Sequence, residues 1–196
     1  MIVSSLYVPP ASYFVSLLGV SHISVDIDEP FLRKGLQNRC EIVGANGRQT
    51  LTIPLQNARS KSTVGEKRIS AEVSWQKQHW RAISSGYGKA PFFFHYKEDF
   101  EKLYARPFLW LTEFNSCLLN QIFVALRWPM EISIGKSELN CQEAESVRND
   151  TRFIISPYIQ VFSDRHGFME NLSVFDLLFN MGPMSLGLFS GAKTRT

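Results

Sequence analysis

Hydrophobic positions along the chain change their spacing several times, and each change marks an element. Residues 2–5 read as a short apolar strand, the Pro9-Pro10 pair breaks the run, and residues 11–19 bring Phe14, Leu17 and Leu18 inward at helical spacing. Residues 22–27 then alternate, so the opening predicts a βαβ unit. The runs LQNRCEIVG and RQTLTIPL flank Ala45-Asn46-Gly47, and Asn-Gly between two β-rich runs predicts a hairpin. Residues 56–68, QNARSKSTVGEKR, are poor in apolar side chains and predict an exposed, solvated loop carrying Arg59, Lys61, Lys67 and Arg68.

Helical spacing returns with residues 74–87, which Ser74 can cap, and again over 97–104 and 109–126. The last of these places Leu111, Phe114, Leu118, Ile122 and Leu126 on one stripe. Residues 131–134 read as a strand and 135–150 as a polar loop or flap. Near the end, Ser173 and Asp176 fit a capping box that opens a short apolar helix closing near Gly182-Pro183, and SGAKTRT reads as a loose tail. The fold class expected is mixed α/β (α+β): a small central sheet with an N-terminal βαβ unit and the Asn-Gly hairpin, packed against a helical layer, all within one domain over residues 1–196.

Composition narrows the classes of function. With 44% hydrophobic residues in 196, the chain has material for its own core. A net charge of +3 from 21 basic and 18 acidic residues leaves no polyanion-coating surface to expect, so nucleic acid is a minor reading. No run is long and apolar enough to span a bilayer, and the N-terminal apolar stretch lacks a basic start and is broken by its prolines. Cys40, Cys117 and Cys141 form neither a CxxC nor a Cys/His pair; no metal, cofactor or disulfide framework is expected, and a cytoplasmic location is.

The stretch SWQKQHWRAISSGYGKAPFFF concentrates the candidate chemistry. On a helix, Gln76, His79, Trp80, Ile83 and Tyr87 follow steps of three and four and share a face, while Lys77 and Arg81 share another. Burying the polar ends of Gln76, His79 and Tyr87 unpartnered would cost about 1–3 kcal/mol each, so they either bond neighbours or line a pocket. A histidine in such a pocket suits proton transfer near neutral pH, and aromatic walls suit a sugar ring or a nucleobase. A satisfied core histidine is the bland alternative. Gly86 and Gly88 lack the spacing of a phosphate-binding loop; Gly88 is expected to end the helix and Lys89 to be a solvated cation or an anion contact. Cys40 reads as a small hydrophobe in a strand, with a thiolate beside Arg39 as the other option.

Four blocks, LYVPPASYF, NRCEIVGANGRQTLTIPL, WQKQHWRAISSGYGKAPFFFHY and YIQVFSDRHGFMENLSVFDLLFNMGP, in this order, resemble the WbqC-like protein family over nearly the whole chain. The resemblance implies a place in O-antigen or other surface-polysaccharide assembly, and a suggested transfer of glycine to an amino sugar. The family pattern falls on Tyr7, Pro9 and Tyr13, on Asn38, Arg39, Asn46 and Gly47, on Lys77, His79, Tyr87 and Pro91, and on Tyr158, Gln160, Phe162, Ser173, Asp176 and Asn180. The chain departs from it at SVRNDTRFIIS, which lacks a lysine and carries Arg148.

These readings lead to an enzyme that moves an acyl or aminoacyl group to an amino sugar, free or nucleotide-linked. His79 is expected as base with Tyr87 orienting it. Tyr7, Tyr13, Asn38, Arg39, Lys77, Lys89, Tyr158, Gln160 and Asp176 are expected to contact substrate, with the C-terminal block closing a hollow over His79. The alternatives are a non-catalytic carbohydrate or nucleotide-sugar binding protein and an RNA-binding domain.

Overall fold

The computed structural model describes residues 1–57, 61–71, 74–135 and 153–194. Strand β1 (Ile2–Ser4) lies parallel to β2 (His22–Asp26), with helix α1 (Ala11–Val15) in the connection, so the βαβ opening is present. Val3, Ile23 and Val25 are buried, as expected of a parallel sheet. Helix α1 is shorter than its spacing predicts. It ends at Ser16, whose hydroxyl donates back to the Tyr13 carbonyl at 2.7 Å, and the left-handed Gly19 (φ +79°) turns the chain. The helical register is lost there, so Leu17 is buried but Leu18 stays 40% exposed.

Strands β3 (Arg39–Gly44) and β4 (Gly47–Thr52) form the Asn-Gly hairpin, with Gly47 taking the positive φ of +98°. The hairpin does not join the central sheet, which has the order β1-β2-β5 with β5 (Glu131–Gly135) parallel to β2; it stands as a separate ribbon. One reason lies on its β3 edge. The Glu41 carbonyl accepts from Ser173 N–H at 2.8 Å, and Val43 N–H donates to the Tyr87 hydroxyl at 3.2 Å, so the groups a further strand would need are taken.

The helical layer comprises α2 (Trp75–Tyr87), α3 (Phe93–Ala105) and α4 (Leu111–Ala125). All five stripe residues predicted from Leu111 to Leu126 are fully buried. Helix α3 starts four residues before the position its spacing predicts, because Phe93 packs edge-on against Phe179 and Phe92 N–H donates to the Phe179 carbonyl at 2.9 Å. Helix α2 lies against the hairpin through Gly86, where a Cβ would come within 2.4 Å of the Val43 carbonyl oxygen. In the loop predicted as solvated, Thr63 and Glu66 cap a short turn at Val64–Glu66. Lys67 is only 1% exposed there, with its ammonium 4.7 Å from the Phe31 ring, and desolvation pulls it below the usual lysine range. Arg68 lies over Trp110 at 4.6 Å.

Strand β6 (Phe153–Ile154), α5 (Ser163–His166), α6 (Val174–Met181), α7 (Ser185–Ser190) and β7 (Lys193–Thr194) complete the chain. Of the expected loose tail SGAKTRT, Ser190 closes α7 and Lys193–Thr194 form a strand paired antiparallel to β6, while its last two residues lie outside the described ones. The predicted polar flap lies outside the described residues, apart from Gly135 at the end of β5. Among the described residues no helix is long and apolar enough to cross a membrane.

Candidate functional site

Tyr158 and Gln160 are two apart in an extended segment, a spacing that turns both side chains to one side. Both reach Asp176 in the first turn of α6: the Tyr158 hydroxyl donates to Oδ2 at 2.6 Å and Gln160 Nε2 donates to the same oxygen at 2.7 Å. Asp176 is 0% exposed, and Oδ1 has no hydrogen-bond partner. Burial raises its carboxyl to a pKa of about 6, against the lowering effect of Tyr158, Gln160 and the nearby Tyr87 phenol. The capping box expected at this helix start does not form. Ser173 is the N-cap residue, but its hydroxyl has no partner, because Asp176 N–H donates to the Ser173 carbonyl at 2.9 Å; Ser173 N–H goes to the Glu41 carbonyl, and the Asp176 carboxylate turns inward to the two donors instead.

A cavity of about 390 Å³ lies beside this group, walled by Val8, Cys40, Tyr158, Phe168 and Ser173. Val8 holds a left-handed backbone (φ +42°), costly for a β-branched residue and of the kind that recurs at binding sites. At the cavity's polar side, Arg48 crosses the ribbon to pair with Glu41, and it donates to the Glu170 carbonyl at 2.8 Å. The Cys40 thiol is pushed far up by burial, so it is a neutral wall and not a thiolate.

The predicted stripe on α2 is present but rotated: Trp75, His79, Ile83 and Tyr87 are buried, whereas Gln76 and Trp80 lie at the rim. His79 is 6% exposed and lines neither this cavity nor the larger one described below. Its Nδ1 is 2.9 Å from the Tyr7 hydroxyl, which lies 2.7 Å from that of Tyr104. Desolvation lowers the imidazole pKa to about 4, with a backbone hydrogen bond at Thr52 opposing it. The residue that orients His79 is therefore Tyr7, not Tyr87.

The expected site residues thus separate. Tyr87, Tyr158, Gln160 and Asp176 come together, and Tyr7 joins His79. Tyr13 is buried with an unpartnered hydroxyl, and Asn38 is buried with Nδ2 donating to the Ile53 carbonyl at 2.9 Å. Arg39 is half-buried with an unpartnered Nε, and Lys77 and Lys89 are exposed. Sequence reasoning did not single out Arg48, Glu41, Phe168 or Tyr104. The register supplies a signal for the first pair: Val43 faces Arg48, so Arg48 is the diagonal neighbour of Glu41 on one face of the ribbon.

The fold is thus an α+β protein with a buried carboxylate, without an ion-pair partner among the described residues, behind an aromatic-walled cavity. The model of the WbqC-like protein family matches residues 5–156, and the chain belongs to that family. Tyr158, Gln160 and Asp176 lie beyond the matched span. The chain is also similar to the uncharacterized protein Rv1507c of Mycobacterium tuberculosis (strain ATCC 25618 / H37Rv), with 26% identity over 219 residues, covering 92% of this chain and 93% of that protein. No solved structure matches the chain.

Proposed function

We propose that this WbqC-like protein is an enzyme of surface-polysaccharide assembly, of the O-antigen type, which transfers an acyl or aminoacyl group to the amine of an amino sugar held in the cavity beside Tyr158. One observation carries the reading: a fully buried aspartate with a pKa near 6, hydrogen-bonded at 2.6 Å to a tyrosine whose ring walls the cavity. A carboxylate in that range can accept a proton at neutral pH, and Tyr158 links it to the cavity. Family membership supports the polysaccharide setting.

In the transfer, the sugar nitrogen attacks the carbonyl carbon of an activated acyl donor, such as a thioester or mixed anhydride, and an N–C bond forms. The nitrogen gives a proton to the Tyr158 oxygen while the Tyr158 proton passes to Asp176 Oδ2. The bond to the leaving group breaks, and that group departs with its electron pair and recovers the proton. His79, neutral and with a pKa near 4, is a much weaker base and is held in the packed interior by Tyr7, away from the cavity.

The test is mass-spectrometric detection of N-acylated product from amino sugars, free and nucleotide-linked, with activated acyl donors. Asp176→Asn and Tyr158→Phe are expected to lower turnover by about 10²–10⁴-fold, the range for a lost proton-transfer group, while His79→Gln retains most of it. Full turnover in both of the first two variants would remove this site from the reaction. A binding protein without chemistry is the second reading, favoured by the neutral Cys40 thiol and the two hydrogen bonds that already solvate Asp176. Saturable amino-sugar binding with no product from any donor would support it.

A further inference from the structure

A second cavity, of about 550 Å³, opens between α2, α3 and the chain leading into α4. We propose that it binds a planar aromatic group bearing a negative charge, of which a nucleoside monophosphate is a simple example. Its walls include Trp75, Trp80, Tyr104 and Phe108. These rings are fixed by the core behind them. Trp80 stacks with Phe93 and Tyr104 at centroid separations of 6.1 and 5.6 Å, while Trp75 and Phe108 each rest on Phe114 at 5.2 and 5.0 Å. A flat ligand therefore meets walls already in place, which lowers the ordering cost of binding.

Two of the side-chain donors on those walls argue against a ligand held by its hydroxyls alone. Trp80 Nε1 donates to Glu101 at 2.9 Å, and Gln76 Nε2 donates to the Arg106 carbonyl. A sugar would give up its water and find these donors taken, whereas an aromatic face gains stacking at no such loss. The charges set the sign. Lys77 stands exposed in the lining with no carboxylate in ion-pair reach among the described residues, and the Arg106 guanidinium lies 5.3 Å over the Phe108 ring. Glu101, a carboxylate in the lining, is occupied by the indole. A ring laid against the half-exposed Trp80 would thus carry its anionic substituent toward Lys77, three residues before it on the same helix.

This site is independent of the transfer reading, since its lining shares no residue with the cavity beside Asp176. It also gives the aromatic and cationic stretch around Lys77 a use that the Tyr158–Asp176 group leaves open.

Tryptophan-fluorescence titration with AMP and UMP, with adenosine and uridine, and with inorganic phosphate tests it. The nucleotides are expected to quench saturably, and the nucleosides to bind about fivefold more weakly, as the loss of one exposed charge contact implies. Lys77→Ala should bring the nucleotides to the nucleoside level, and Asp176→Asn should leave binding unchanged. No saturable response at millimolar nucleotide, equal binding of phosphate alone, or binding that survives Lys77→Ala undiminished would each overturn the proposal.

Discussion

The side-chain amide of Gln160 is bonded on both edges to the backbone of Met169, with Nε2 donating to the carbonyl at 3.0 Å and Oε1 accepting from the N–H at 2.8 Å. The amide stands where a strand neighbour would, and the same Nε2 also donates to Asp176. The shape of the 160–169 loop and the solvation of the carboxylate are therefore one arrangement. Gln160→Ala leaves two backbone groups and one carboxylate contact unsatisfied, so urea unfolding should show a loss of about 1–3 kcal/mol. Gln160→Glu should lose more, because it sets a second carboxylate beside Asp176.

Two buried groups should titrate in opposition. Asp176 has a folded pKa near 6, above its ordinary 3.8, so the folded state holds an extra proton between those values and stability falls as pH rises through that window. His79 has a folded pKa near 4, below its ordinary 6.5, so the unfolded state holds the extra proton and stability falls as pH drops from 6.5 to 4. Each effect is about 3 kcal/mol at its full extent, so they largely offset one another. Urea unfolding between pH 4 and 7 should show a nearly flat contribution from the pair. Asp176→Asn should expose the histidine's acid loss, and His79→Gln the opposite slope.

Gly86→Ala tests the seat of α2 on the ribbon. Alanine favours a helix by about 1 kcal/mol, but its Cβ would sit 2.4 Å from the Val43 carbonyl and force the two elements apart. The overpacking should prevail, with a net loss of about 1–3 kcal/mol by denaturant unfolding. Ser85→Ala, one residue away and exposed, should change stability little.

What the sequence reveals depends on how local the cause is. The βαβ opening, the Asn-Gly turn and the Leu111 to Leu126 stripe follow from period and turn chemistry, and all are present. The hairpin's separation from the sheet follows in part from Ser173 and Tyr87 taking its β3 edge, contacts far apart in sequence. Asp176 reads as a cap because Ser-x-x-Asp is a local signal; two donors sixteen and eighteen residues away redirect it. His79 reads as accessible because its partner Tyr7 is 72 residues away. Lys67 reads as solvated because nothing local announces that Phe31 covers it.

The protonation of Asp176 tests the central claim most directly, through a carboxyl ¹³C titration assigned by the signal missing in Asp176→Asn. A midpoint near pH 6 that moves higher in Tyr158→Phe, where a hydrogen bond to the charged form is lost, is the result expected. A midpoint near the ordinary value of about 4, unmoved by Tyr158→Phe, would contradict a buried carboxylate poised behind that tyrosine.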